Sequence, residues 1–273
     1  MSFQPIIPID GYVGWRFLQR TQQKQEAAHA AMPAAQRDET YFRDRIGAVT
    51  SAEELVSDRR LLRVALTAFG LQDDLPNRAY LQKVLESSTS EAGSFVNRLT
   101  DKRYRQLNDA FGFGDRAISS NQFGGFADAI LARYRDRSFE AAVGAQDESM
   151  RLALALERDL ADLAWQDSSE ATRWYTVLGT PSLREVFETA FQLPTSFGTL
   201  DIDRQVDILK ERTARLTGKD TIAQFTDPDA IDALTRRYFL AGQLDQVAAA
   251  SSHSLALTLL QSGQASLRGI LGR

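Results

Sequence analysis

The sequence predicts an all-α, multi-helical fold, made of two degenerate helical repeats behind an N-terminal extended arm and helix. Three observations carry that expectation. Apolar residues recur at helical spacing, most clearly Leu152, Leu156, Leu160 and Leu163. Helix-start signals recur too: Ser51 three residues before Glu54, Thr180 before Pro181, and Asp227 before Pro228. Sustained period-2 alternation with β-branched residues is missing, so no substantial sheet is expected.

Residues 1–14 read as an extended arm. Pro5 and Pro8 withhold backbone donors and disfavour helix before them, while Gly11 and Gly14 add freedom. A helix is expected from Trp15 to about Ala31, ended by Pro33, with Trp15, Phe17 and Leu18 as its apolar end. A helix with one sticky end and a polar body either reaches for another element or packs poorly. The Ser51–Glu54 capping box opens a helix through Leu55, Leu61, Leu62, Val64, Ala65, Ala68 and Phe69, stopped at Gly70.

Further helices are expected from Asn77 through Leu85, from Ser90 to Arg98, and from the Thr100-Asp101 cap through Phe111. Gly112 and Gly114 force a turn, because each glycine costs a helix about 1 kcal/mol. Phe123, Phe126, Ile130 and Tyr134 mark the next stripe, and Glu148 to Trp165 the clearest helix. The two proline-led helices carry Leu183, Val186, Phe187 and Phe191, then Ile231, Leu234 and Tyr238. The tail from Gln243 carries Val247, Leu255, Leu259, Leu260 and Leu267, with Gly263 as its weak point.

The chain echoes itself. A shift of 122 residues carries Phe69 onto Phe191 and aligns Leu61–Leu71 with Leu183–Leu193, with Leu, Val, Thr-Ala-Phe and the final Leu coinciding. Downstream, Val84-Leu85 pairs with Ile208-Leu209, and Leu99-Thr100-Asp101 with Phe225-Thr226-Asp227, in the same order. This reads as a degenerate duplication, giving an arm and helix over 1–45, a first unit over 46–145 and a second over 146–273. Two copies are too few for a solenoid.

Composition narrows the chemistry. The net charge of −4 gives no general attraction to nucleic acid or an anionic membrane. The chain has no cysteine, which excludes thiolate metal sites and Cys nucleophiles. No apolar run approaches the roughly 18–20 residues that span a bilayer. Met1–Trp15 lacks a basic n-region, so a cytoplasmic protein is expected, with export by a route without a cleaved signal left open.

His29 and His253 are the only histidines, and both read as solvated surface residues. Gly112-Phe113-Gly114 lacks a third glycine, and Gly218-Lys219-Asp220-Thr221 lacks the earlier glycine of a phosphate loop. Asp201, Asp203 and Asp207 read as a helix start favoured by the dipole, and Glu157, Arg158, Asp159 and Asp162 as a solvated face. Trp165, Trp174 and Tyr175 read as core aromatics at a helix junction. Arg133, Arg135 and Arg137 interleave with Asp136 and Glu140, which argues against a nucleic-acid platform. No catalytic, cofactor or metal residue is assigned.

The stretch Pro5…Gly11-Tyr12-Val13-Gly14-Trp15-Arg16-Phe17-Leu18-Gln19-Arg20-Thr21, with Tyr41-Phe42, Leu55…Ala65…Ala68-Phe69-Gly70-Leu71 and Leu99-Thr100-Asp101…Phe111-Gly112, resembles the alphaproteobacterial family called domain of unknown function 1217. The resemblance spans most of the chain. Some members of that family carry more than one copy of the domain, and many are encoded beside flagellar genes. The resemblance therefore implies a role in motility or its assembly and carries over no catalytic residue. The functional expectation is a non-enzymatic interaction protein with a protein partner, a flagellar component in that setting. Its partner-binding residues are Trp15, Phe17, Leu18, Leu255 and Leu259, and self-association is compatible with it. The alternative is an enzyme or small-ligand binder with an interhelical pocket, near Trp174 or Asp203.

Overall fold

The computed structural model describes residues 3–244, and among these no strand occurs. Six helices make the first half: α1 (Gly11–Ala30), α2 (Pro33–Arg45), α3 (Ala52–Ser57), α4 (Arg59–Ala68), α5 (Arg78–Glu86) and α6 (Lys102–Phe111). Six make the second: α7 (Phe126–Gly144), α8 (Glu148–Trp165), α9 (Glu170–Gly179), α10 (Pro181–Ala190), α11 (Ile202–Thr217) and α12 (residues 228–244).

The internal echo has a structural counterpart in α4 and α10. Moving α4 by 122 residues lands on α10 at both ends. The stops match as well. Gly70 takes a left-handed backbone, with its N–H on Thr67 O and the Leu71 N–H on Leu66 O. Gln192 is also left-handed (φ 49), with its N–H on Thr189 O and the Leu193 N–H on Glu188 O. Both are Schellman endings. Further along, Asp101 caps the Arg103 N–H at the start of α6, and Asp227 caps the Asp229 N–H at the start of α12.

Several local expectations change. Pro33 opens α2 at its first position instead of merely ending α1, so helix α2 was missed in the sequence. The helix expected from Ser51 to Gly70 breaks at Asp58, whose carboxylate accepts from the Arg60 and Leu61 N–H groups and from the Tyr41 hydroxyl. An interior acid that caps starts a new helix instead of continuing the old one. Glu54 reaches back to the Thr50 N–H at 2.7 Å, one residue beyond the expected Ser51. The Ser90–Arg98 helix is only a short 3-10 turn, Val96–Arg98. Phe123 lies outside α7 and is exposed.

Two cores form. The first gathers Phe42, Leu55, Leu62, Leu66, Leu85, Leu107 and Phe111 with Ile130, Leu131 and Tyr134 from the start of α7. The second gathers Phe139 and Val143 from the end of α7 with Leu156, Leu160, Trp174, Phe187, Leu209, Phe225 and Tyr238. The changeover thus falls inside α7, between Tyr134 and Phe139. Helix α1 joins the second core through Trp15 and Leu18, with the Trp15 ring 5.9 Å from that of Phe239. It leaves the adjacent helix α2 in the first.

Candidate functional site

Two regions compete: the surface around the arm and α1, and a charged cleft between the two cores. The arm is not a free element. Residues 3–8 carry no helix or strand, a bend follows at Ile9, and helix α1 begins four residues earlier than Trp15, at Gly11. A side chain at Gly14 would overlap the Ile9 carbonyl, so this turn needs glycine. The arm folds back along α1. The Gln25 amide accepts from the Ile6 N–H at 2.7 Å and donates to the Ile6 carbonyl at 3.2 Å. Gln146 donates to the Pro5 carbonyl at 2.9 Å. Phe3 lies against His29 and Phe139, with ring centroids at 5.2 and 6.3 Å.

His29 is therefore a half-buried member of an aromatic cluster, not a solvated side chain. Burial pushes its pKa down. Its reading from sequence failed because Phe3 reaches it through tertiary folding. His253, Leu255 and Leu259 lie outside the described residues.

Trp15 and Leu18 are fully buried in the chain's own core, so as folded they anchor α1 and are not offered to a partner. Their apolar surface finds α8 and α12 first. Phe17 stays on the surface, 36% exposed, and Val13 one turn earlier is 68% exposed. Helix α12 lies alongside: Tyr12 donates to Asp232 at 2.9 Å, and Arg16 pairs with the same carboxylate at 3.1 Å. Leu240 and Leu244, four residues apart on α12, are 46% and 61% exposed. Each of these two paired helices shows large apolar side chains to solvent.

The cleft has a volume of about 1080 Å³ and is walled by α4, α6, α7, α8, α9 and α10. Here the supposed solvated face of α8 turns out half-buried. Arg158 pairs with Glu140 and Asp159, and Arg137 reaches the same two carboxylates at 3.5 and 3.4 Å. Asp159 also accepts from the Ser182 hydroxyl at 3.4 Å, beside the start of α10. Arg103 donates to the carbonyl of Gly70 at the end of α4, where a helix C-terminus favours a cation. Burial lowers the pKa of both Arg137 and Arg158. Just behind lies a cavity of about 300 Å³ that shares Asp136, Glu140 and Arg158 with the cleft. Burial raises Asp136 there, with Glu26 adding to it, and burial raises Glu157, which accepts from Gln19 at 2.6 Å.

The remaining candidates resolve locally. Asp201 caps α11 by accepting from the Asp203 N–H at 2.9 Å, and Asp203 accepts from the Tyr175 hydroxyl. Trp174 is core, its indole N–H on the Asp220 carbonyl at 3.0 Å, but Trp165 and Tyr175 are 78% and 41% exposed, against expectation. Arg135 pairs with Glu39, and Arg133 lies over the Phe69 ring. No group of three or more His, Cys, Asp or Glu side chains suited to a metal occurs among the described residues. None of their helices is long and apolar enough to cross a membrane.

Residues 68–231 match the model of the family described as a protein of unknown function, domain of unknown function 1217. The chain belongs to this family. The match takes in the ends of α4 and α10 and all of the cleft-forming helices between them. A solved structure, the X-ray crystal structure of protein AGR_C_984 from Agrobacterium tumefaciens, is similar with a TM-score of 0.71 at 24% identity. The similarity covers 89% of this chain and 98% of that one. At that identity the likeness establishes a shared fold. No curated protein matches the chain.

Proposed function

We infer that this member of the family is a non-enzymatic helical interaction protein that docks a protein partner on the paired helices α1 and α12. The observation that carries the reading is the exposure of Val13 and Phe17 on α1 and of Leu240 and Leu244 on α12, two helices joined by the Tyr12–Asp232 and Arg16–Asp232 contacts. Apolar anchors next to charged groups are the composition of a protein-binding surface with a polar rim. The flagellar setting comes from the family's gene neighbourhood and makes a flagellar component the partner to look for. The test is capture from cells, paired with a motility assay, using Phe17→Glu and Leu240→Glu chains. Loss of one specific partner and of motility is the expected result. Wild-type capture by both variants would sink the reading.

A second reading, a small-ligand binder, rests on the cleft between the cores, where Arg137, Arg158, Glu140 and Asp159 converge. It expects a compound that raises Tm in the wild type and fails to do so in Arg137→Gln. A flat thermal-shift screen removes it.

A further inference from the structure

The seat of the arm has the features of a peptide-binding groove. Gln25 on α1 hydrogen-bonds both the N–H and the carbonyl of one residue, Ile6, the way a neighbouring β-strand would. Gln146, between α7 and α8, takes the preceding carbonyl. These contacts read main chain and are indifferent to side chain. Specificity comes from alternate positions of the extended segment. Phe3 meets His29 and Phe139, Pro5 is buried, and Ile7 packs on the second core, while Gln4 and Ile6 point outward. The segment leads into α1 through Asp10 and Gly11, and Gly11 takes a left-handed backbone (φ 71) that turns the arm into the helix.

We propose that this groove is a peptide-recognition site, filled in one molecule by its own arm and filled in trans by the arm of a second copy. The pattern it accepts is an aromatic residue, then proline, then an aliphatic residue, at every second position of an extended chain. Exchange breaks and remakes the same contacts, so it needs no surface beyond the groove itself. The cis arm competes at an effective concentration of about a millimolar, so exchange emerges only as the protein concentration approaches that value. This proposal is independent of the α1–α12 docking surface.

The experiment uses a fluorescein-labelled peptide of residues 3–10, titrated with the full chain and followed by anisotropy. The wild type should bind weakly. A full-length Phe3→Ser/Pro5→Ser chain should bind at least ten times tighter, and adding Gln25→Ala should abolish that gain. A scrambled peptide should not bind. Circular dichroism verifies folding, and Ile7→Ser serves in place of the double variant if that one does not fold. Sedimentation velocity should show a dimer that grows with wild-type concentration and is abolished by deleting residues 3–10. Equal peptide affinity of wild type and arm variant, or binding indifferent to Gln25→Ala, overturns the groove. Peptide binding without any dimer overturns the second copy as occupant and points to a foreign segment of the same pattern.

Discussion

Glu157 and His29 show what single residues contribute and where. Glu157 carries a carboxyl whose folded pKa is raised by burial. The fold favours its neutral form, so its contribution to stability is present at low pH and lost as pH rises through the folded value. Glu157→Gln keeps an acceptor for Gln19 and removes the buried charge. It should raise Tm at pH 7 and leave Tm unchanged at pH 4. His29 works in the opposite pH range. Its folded pKa lies below the ordinary value of about 6.5, so the unfolded chain, or one with the arm lifted, takes up a proton that the seated arm excludes. Arm seating is thus strongest above that value and weakens as pH falls below it. Glu26, Asp136 and Glu140 line the adjoining cavity. Hydrogen exchange of the Ile6 amide should accelerate, relative to intrinsic rates, between pH 7 and pH 5, and His29→Phe should remove that change. Neither behaviour is legible in the sequence, because Gln19, Phe3 and Phe139 come to these residues only in the folded chain.

At the scale of elements, the paired stops of α4 and α10 give a controlled comparison. Gly70 and Gln192 occupy the same left-handed position, which glycine takes freely and a residue with Cβ takes at a cost of roughly 1 kcal/mol. Gly70→Ala should destabilise by about 1 kcal/mol, and Gln192→Gly should stabilise by up to about that amount, both read from urea midpoints. The start of α4 adds a third case: Asp58→Ala removes two backbone caps and should cost about 1 kcal/mol or more. Much at this scale was readable from the sequence. Caps and stops at Ser51, Gly70 and Asp227 are local chemistry, and so are the Pro181 start of α10 and the leucines of α8, whereas the Thr180 hydroxyl leaves its cap position to bond the Thr176 carbonyl. The break at Asp58 and helix α2 were not readable. Asp58 sits inside an unbroken apolar pattern, and α2 buries little besides Phe42, so neither periodicity nor composition marks it. The repeat itself also diverges where neighbours differ. Leu62 and Leu66 of α4, which packs against α7, are replaced in register by Arg184 and Glu188, which pair at 2.7 Å on a half-exposed face of α10.

For the whole molecule, α7 is the link, because one continuous helix contributes Tyr134 to the first core and Phe139 to the second. Melting either core frays a helix that the other needs. Far-UV dichroism and tryptophan fluorescence should therefore follow one coincident transition in urea. Two separated transitions would show that the cores melt independently. The other long-range tie is α1. Trp15→Ala should cost about 3–5 kcal/mol, since its ring is fully buried against α12. Sequence identified Trp15 as sticky and could not tell that its partner lay at the far end of the chain. That arrangement fixes an order of events during synthesis. A ribosome adding roughly 5–20 residues per second needs about 10–45 s to travel from Trp15 to Phe239. For all that time Trp15 lacks the Phe239 side of its seat, even after α7 and α8 have emerged, and helix α1 stays open to chaperones, proteases and other nascent chains. Burial of α1 is therefore completed only when α12 has been made.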